Sequence, residues 1–276
     1  MAGKYLKKKR KNPLVGCLLW LMLVLFAAAI TLSIWKITER RNEEQAGTDA
    51  YASLAHSAVT VTAPDPEQVP TTVIEDKQEE ETVIDVTSAS MVVDFDALQA
   101  INPQIVAWIS SDNGAIHYPV VRGTDNEYYL NHMVDGTVNR SGAIFMDFRN
   151  ASDLTDRNTF IYGHNMRNGA MFATLEKYAQ PGYYEQHPEL LLVTSNGSYS
   201  LQVFAGCVVP GNSDVYQLSF RDDADFAAYL EKIRTMSVFS SAVEVGMQDR
   251  LVTLSTCAYD YEDARFVLFC KPVPMQ

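Results

Sequence analysis

The sequence of 276 residues lacks clustered metal ligands and phosphate-binding glycine loops. Metal sites typically show spacings such as C-x-x-C or H-E-x-x-H, and neither occurs, so no metal or other cofactor is expected. Positive charge is also scarce, because 22 Lys and Arg stand against 34 Asp and Glu and give a formal charge of −12. An acidic body argues against nucleic acid as a partner.

Charge is absent altogether from residues 14–35, LVGCLLWLMLVLFAAAITLSIW. This run has about the 20 residues that a helix needs to cross a bilayer, so it predicts a transmembrane anchor. A cleaved signal peptide is the alternative, although its apolar region is normally only about 7 to 15 residues long. By the positive-inside rule, the basic residues of segment 1–13 hold it in the cytoplasm and place everything after Trp35 outside the cell membrane. These residues are Lys4, Lys7, Lys8, Lys9, Arg10 and Lys11.

Residues 36–90 have few aromatic side chains and are rich in Glu, Asp, Thr, Ala, Pro and Ser. Such a segment buries too little apolar surface to offset the entropy lost on ordering. It is predicted to be an extended, flexible acidic linker that holds the next domain away from the membrane. Residues 91–276 are then predicted to form one folded domain.

Cysteine is limited to four residues, and Cys17 lies in the predicted anchor. Cys207, Cys257 and Cys270 remain outside, an odd number that cannot form a complete set of disulfides. At least one external thiol is therefore expected to be free, which raises the question of its reactivity. Cys207 and Cys270 lie within apolar runs and are interpreted as small packing residues.

The fold is predicted to be mainly β, with helices on the outside. Asp94 is the predicted N-cap of a first short helix, and Asn102-Pro103 predicts a further short turn that ends at Trp108. Two later segments, NGAMFATLEKY and RDDADFAAYLEKIRTM, have helical patterns. Seven short apolar runs bounded by Gly, Asn, Asp and Pro predict strands: 115–121, 142–147, 158–164, 189–195, 198–209, 250–257 and 265–273.

The segment RLVTLSTCAYDYEDARFVLFC, residues 250–270, predicts a hairpin with Cys257 at the end of its first strand and Arg265 at the start of its second. Strand alternation places Ser255 and Cys257 on one face and Thr256 on the other. If the loop folds about Tyr261, the thiol and the guanidinium lie side by side. A cation beside a thiol favours the thiolate or donates to a developing oxyanion. The alternative is a buried cysteine and a surface arginine that merely flank a loop.

Cysteine acyl transfer also needs a group that exchanges protons with the substrate. His164 is the strongest candidate, because NTFIYGHN places it after a glycine at the exit of an apolar strand. His132, in a polar loop, remains a second candidate. His117 is interpreted as a packed or surface side chain of a strand, and His56 and His187 as solvated.

TLSTC, with RFV beginning eight residues after the cysteine and NTFIYGHN upstream, resembles the class B sortases, the cysteine transpeptidases of Gram-positive bacteria. Other stretches, such as YPVVRGTDNEYYLNH and SGAIFMDFRN, extend the resemblance over residues 92–273. The resemblance implies an eight-stranded sortase-type β-barrel. It also implies that Cys257 is the nucleophile, His164 the general acid or base, and Arg265 the stabiliser of substrate and oxyanion.

The resemblance further implies a groove for a sorting peptide. Ala258 stands where relatives have a polar residue, and Tyr216 lies in a variable loop. The positions implied to line the groove are Asn126, Leu130, Tyr162, Tyr216, Ser255 and Thr256.

The implied activity is acyl transfer in two steps. Cys257 attacks the Thr carbonyl of a C-terminal sorting signal, Asn-Pro-x-Thr-like or related, and an amine of a peptidoglycan precursor then resolves the thioester. The implied partners are surface proteins that bear such signals, the precursor and the membrane. One alternative is a cysteine peptidase in which water resolves the thioester. The other is an inactive, surface-tethered binding module with the same barrel.

Overall fold

The computed structural model describes residues 13–62 and 90–275. The helices are α1 (Pro13–Ala58), α2 (Phe95–Ile101), α3 (Tyr183–Gln186) and α4 (Asp223–Met236), with 3-10 helices at Tyr128–Leu130 and Ala173–Ala179. The strands are β1 (Val59–Thr62), β2 (Ser90–Val93), β3 (Ile105–Ser111), β4 (His117–Val121), β5 (Ile144–Met146), β6 (Asn158–Tyr162), β7 (Glu189–Thr194), β8 (Gly197–Pro210), β9 (Leu251–Cys257) and β10 (Ala264–Pro274).

The chain divides after Ala46 into two compact units. In the first unit, α1 exposes a continuous apolar surface, with Trp20 at 72% and Trp35 at 60% exposure. An 18-residue window of this helix has a mean hydropathy of 2.0 and no buried residue. Within the described residues, α1 is the one helix that is long and apolar enough to cross a membrane.

The second unit begins at Gly47 and so includes part of the segment predicted to be a flexible linker. The structure differs from that prediction, because residues 36–58 belong to α1 and β1 pairs antiparallel with β2. Residues 63–89 of the predicted linker lie outside the described residues. The predicted start of the folded domain, at residue 91, is therefore too late.

Helical periodicity explains why residues near Tyr51 are ordered. Tyr51, Leu54, Ala55 and Ala58 recur at the spacing i, i+3, i+4, i+7 and pack into the main apolar core. The Tyr51 hydroxyl also donates a 2.7 Å hydrogen bond to the carbonyl of Gly142. This apolar stripe outweighs the acidic composition of the segment as a whole.

Eight strands close into a barrel in the order β10-β8-β7-β3-β4-β5-β6-β9. Neighbouring strands are antiparallel except for the pairs β4–β5 and β6–β9, which are parallel. The mainly β fold with an eight-stranded barrel and outer helices is thus confirmed. The seven predicted runs correspond to β4 through β10.

The eighth strand, β3, was not predicted from the residue pattern. Asn102 does form a turn, since its side-chain oxygen accepts from the Gln104 amide at 2.9 Å, but the following residues are extended rather than part of a short turn to Trp108. Ala107 pairs with Val120 on one side and Thr194 on the other. The two neighbouring strands therefore determine the conformation. The predicted cap of α2 is present, because the Asp94 carboxylate accepts from the Ala97 amide at 2.9 Å.

Two apolar clusters stabilise the barrel. The larger one includes Trp108, Leu254 and Leu268, all fully buried. The smaller one lies between α4 and the barrel and includes Cys207 and Phe269. Burial of a large apolar side chain contributes about 1.5 to 3 kcal/mol. The α4 residues that pack here follow helical spacing: Phe226, Tyr229, Leu230 and Ile233.

The strand directions bring one end of the barrel together. Because β6 and β9 run parallel and β10 runs antiparallel to β9, the C-terminal ends of β6 and β9 lie beside the start of β10. Tyr162, Cys257 and Arg265 occupy these positions.

Candidate active site

Cys257 and Arg265 face each other across the β9–β10 ladder. Adjacent strands are about 4.8 Å apart, so the two side chains start from neighbouring backbone positions. The Ala258 amide donates to the Ala264 carbonyl at 2.8 Å, and the Ala264 amide donates to that of Tyr261 at 3.2 Å. These bonds close the loop and hold Cys257 and Arg265 at the rim of the barrel.

A cleft of about 210 Å³ opens at this rim. Phe145 and Gly163 line it in addition to residues that the sequence singled out. The predicted site residues that line it are Asn126, Leu130, Tyr162, His164, Ser255, Thr256, Cys257 and Arg265. Tyr216, the ninth predicted residue, does not line the cleft, but its hydroxyl lies 2.9 Å from the Ser255 hydroxyl.

Cys257 is partly exposed at the cleft. Its carbonyl accepts a 2.7 Å hydrogen bond from the Asn165 side-chain amide. Within the described residues, no group forms a hydrogen bond with the Cys257 sulfur, which leaves the sulfur open to a ligand in the cleft.

His164 lies two residues beyond the end of β6. Its Nε2 donates a 2.6 Å hydrogen bond to the Leu130 carbonyl, and its own carbonyl accepts from the Phe172 amide at 2.9 Å. The preceding Gly163 donates to the Ser255 carbonyl at 3.1 Å, which ties the histidine segment to β9. A Cβ at Gly163 would lie 2.7 Å from Phe172 Cδ2, so close packing requires glycine there.

Arg265 is held by its own loop. Nη2 forms a 2.8 Å ion pair with Asp263 Oδ1, and Nη1 donates to the Ala264 carbonyl at 3.0 Å. Asp263 has φ of +62°, and its carbonyl accepts from the Gly211 amide at 3.0 Å. A guanidinium has more N–H groups than these two bonds use, so further donors are available to a ligand.

The other external thiols lie away from the cleft. Cys207 and Cys270 have no exposed surface. Burial raises the pKa of Cys207 to about 12 and also raises the pKa of Cys270. Both thiols are therefore protonated at neutral pH and unsuited to nucleophilic attack.

The other histidines occupy separate environments. His132 stacks on Tyr128, with ring centroids 3.9 Å apart, and does not line the cleft. His117 lies 3.1 Å from the Ser110 hydroxyl and accepts from the Trp108 indole at 3.3 Å. His56 is exposed. The interpretation of His187 as solvated is wrong, because it pairs with Asp112 at 2.7 Å and its side chain is only 19% exposed.

Sequence reasoning did not single out Asp147, which directly follows β5. Its carboxylate is fully buried and accepts hydrogen bonds from Asn126 and Tyr162, two residues of the cleft. The available signal was an acidic residue placed directly after the apolar run GAIFM. Asn165 was also missed, and its position beside His164 was the only signal for it.

Comparison with known proteins agrees with this geometry. Residues 110–273 match the Sortase domain family. The chain is 39% identical over 180 residues to sortase B of Listeria monocytogenes, which covers 64% of this chain and 72% of that protein. It is 36% identical over 179 residues to sortase B of Staphylococcus aureus, and the match covers 64% of this chain and 73% of that protein.

A solved structure of the S. aureus sortase B–substrate complex has a TM-score of 0.63 and 34% identity to this chain. The match covers 66% of this chain and 86% of that one. With its closed barrel and its rim cysteine, the chain belongs to the sortase family, whose members are cysteine transpeptidases. Its relatives identify it further as a class B sortase.

Proposed function

We propose that this sortase cleaves a C-terminal sorting signal after Thr and joins the released protein to an amine of a peptidoglycan precursor. The observation that carries the proposal is the placement of Cys257 directly opposite Arg265 in a cleft that His164 also lines. These three residues supply a nucleophile, an oxyanion donor and a proton carrier.

In the first step, the Cys257 thiolate attacks the Thr carbonyl carbon, and N–H groups of Arg265 stabilise the oxyanion. The tetrahedral intermediate collapses as the C–N bond breaks, and the His164 imidazolium gives its proton to the departing amine. The product is a thioester on Cys257. Hydrogen bonds of the unliganded site commonly rearrange when a substrate binds, so the bond from His164 to Leu130 is compatible with this role.

In the second step, the acceptor amine attacks the thioester carbonyl. His164 takes the proton of the amine, the C–S bond breaks, and Cys257 leaves as the thiolate. The net change is one amide bond exchanged for another, with no oxidant, reductant or cofactor consumed.

The sorting peptide is proposed to bind along the cleft. Leu130 supports an apolar contact, because it is 44% exposed at this site. Thr256 is 2% exposed, so its contribution is assigned to its backbone. The residues proposed to contact the peptide are Asn126, Leu130, Tyr162, Ser255, Thr256 and, through Ser255, Tyr216.

The apolar segment of α1 is proposed to anchor the chain in a single pass, with residues 1–13 in the cytoplasm and the barrel outside. The exposed apolar surface of this helix and the basic residues that precede it support this topology. The arrangement places the enzyme at the surface where an unprocessed substrate and a lipid-linked acceptor are both confined.

Intact-protein mass spectrometry tests the proposal. The full chain, in detergent micelles, is incubated with a small library of sorting peptides, with and without a glycine peptide or diaminopimelate. We expect an adduct on Cys257 and, with amine present, an amide-linked product, while Cys257→Ala forms neither. Hydrolysis alone under both conditions would instead support a cysteine peptidase. A folded protein whose Cys257 is inert to every peptide would support a binding module.

A further inference from the structure

A buried carboxylate lies behind the wall of the cleft. Asp147 is 0% exposed. Arg149 donates two hydrogen bonds to its carboxylate, from Nε to Oδ1 at 2.8 Å and from Nη2 to Oδ2 at 2.7 Å. Burial alone would favour the neutral acid, but the hydrogen bonds from Arg149 and Asn126 and the charge of Arg149 together outweigh it and leave the Asp147 pKa below its usual value. Asp147 is therefore ionised at neutral pH, and an ionised carboxylate only accepts hydrogen bonds.

The carboxylate fixes the amide of Asn126. Asn126 Nδ2 donates to Asp147 Oδ2 at 2.9 Å, while Asn126 Oδ1 accepts from the Phe148 amide at 3.1 Å. Both bonds demand the same orientation of the side-chain amide. One N–H of Asn126 remains, and this residue lines the cleft.

The same carboxylate oxygen fixes the hydroxyl of Tyr162, which donates to Asp147 Oδ2 at 3.0 Å. Because that proton is committed to the carboxylate, the hydroxyl oxygen can only accept a further hydrogen bond. Tyr162 also lines the cleft.

We propose that Asp147 is a positioning residue that fixes the hydrogen-bond direction of two cleft residues, so that Asn126 presents a donor and Tyr162 an acceptor. A donor beside an acceptor complements an amide group, whose C=O accepts and whose N–H donates. The ligand chemistry is therefore an amide of the bound peptide. This inference rests on the proposed function for its ligand, but the hydrogen-bond directions hold with or without a substrate.

The first experiment compares Asp147→Asn with Asp156→Asn in the full chain. Asp156 lies in the same loop and also accepts hydrogen bonds, from Asn150 at 2.9 Å and Ala151 at 2.7 Å, so its variant is a matched loss of charge. We expect Asp147→Asn to raise the peptide KM about tenfold with kcat within about threefold, since a fixed hydrogen-bonding pair contributes to peptide binding. Asp156→Asn should leave KM unchanged. Equal KM values for wild type and a folded Asp147→Asn variant, or equal increases in both variants, would overturn the proposal.

A second experiment removes the complementary group from the peptide. In a series of peptides, one backbone N–H at a time is replaced by an ester oxygen. Wild type should show a KM increase of about five- to tenfold at one position, because one ligand N–H loses its acceptor. Tyr162→Phe should not distinguish ester from amide there. This comparison needs no change at Asp147, so it can be made even if Asp147→Asn fails to fold. If the KM of wild type changed equally at every ester position, the proposal would be contradicted.

A third measurement is independent of activity. Burial, and after it the neighbouring Asp147 carboxylate, raise the pKa of Tyr162. In protein labelled with ¹³C at tyrosine Cζ, the Tyr162 signal, assigned by its loss in Tyr162→Phe, should stay at the protonated position at about pH 10.5. In Asp147→Asn the burial remains but the carboxylate is lost, so the Tyr162 signal should begin to move toward the ionised position at a lower pH than in wild type. If wild type forms no adduct with any peptide, the proposed function fails, yet this titration still decides the positioning role, because the same onset pH in both proteins would reject it.

Discussion

Cys257 and Cys270 belong to the same hairpin but lie in opposite environments. Cys257 ends β9 at the rim of the barrel, faces Arg265 and is partly exposed. Cys270 lies five residues beyond Arg265 on β10, opposite Val252, with no exposed surface and a pKa raised by burial. The side-chain chemistry is identical, so the difference comes from where each strand position lies relative to the cleft.

The comparison separates two regions with different tasks. The rim residues retain unused hydrogen-bonding capacity, as Arg265 does. The interior residues are packed, as Cys207 is between α4 and the barrel. We therefore expect substitutions at the rim to alter catalysis with little change in stability, and substitutions in the interior to do the reverse.

Replacing the two hairpin thiols should have the largest and most opposite effects. Cys257→Ala should abolish thioester formation, a loss on the order of 10⁴-fold or more, with stability within about 0.5 kcal/mol of wild type. Cys270→Ala should keep acylation and lose about 1 to 2 kcal/mol, because it opens a small cavity. Intact mass spectrometry and chemical denaturation measure both. An adduct formed by Cys257→Ala would place the nucleophile elsewhere.

Arg265→Lys should have the next largest effect. A lysine carries the charge but not the planar fork of N–H groups, so we expect kcat/KM to fall about 10²- to 10³-fold, the range for loss of an oxyanion donor. Steady-state kinetics with the peptide that wild type prefers measures this. Arg234→Lys is the control, because Arg234 packs over the Phe204 ring at 4.8 Å and does not line the cleft. Near-normal kinetics of Arg265→Lys would make Arg265 a bystander.

Asp263→Asn should have a smaller effect on the same guanidinium. The residue at 263 has a positive φ, which asparagine tolerates, so the loop is retained while the 2.8 Å ion pair is lost. We expect kcat to fall about tenfold, as for a loosened catalytic group. Asp260→Asn in the same loop removes the same charge and is the control.

A double variant distinguishes positioning from general destabilisation of the loop. If Asp263 acts through Arg265, adding Asp263→Asn to Arg265→Lys should cause no further loss of kcat. Independent, multiplicative losses in the double variant would show that the Asp263 carboxylate acts by another route.

The rim and the interior also differ in how much the sequence could predict. Cys257 and Arg265 were placed together because strand alternation and one short loop determine their relation locally. Asp147 escaped prediction, because its role depends on Asn126 and Tyr162, which come from separate segments. A single acid after an apolar run carries no information about such partners.

The same reasoning explains the errors in the fold. The capped helix α2 and the seven strand runs carry local signals, whereas β3 is extended because it pairs with β4 and β7. The residues around Tyr51 show a second limit, because average composition hid a four-residue apolar stripe. Periodicity read in shorter windows would have found that stripe.

The smallest expected effect concerns pH and belongs to the interior side of the comparison. Burial lowers the pKa of His117 below its usual value of 6.5, so the folded state binds fewer protons at this site than the unfolded state. The stability that it contributes is therefore fully present above about pH 6.5 and is lost as the pH falls from there toward the folded-state pKa. His117→Gln can still accept from the Trp108 indole but cannot take up a proton, so its denaturation midpoint should change less than that of wild type between about pH 7.5 and 5.5. Acylation by Cys257 in His117→Gln at about pH 7.5 should equal that of wild type, which serves as the control. Parallel pH profiles of the denaturation midpoint for the two proteins would show that His117 does not contribute to the pH dependence of stability.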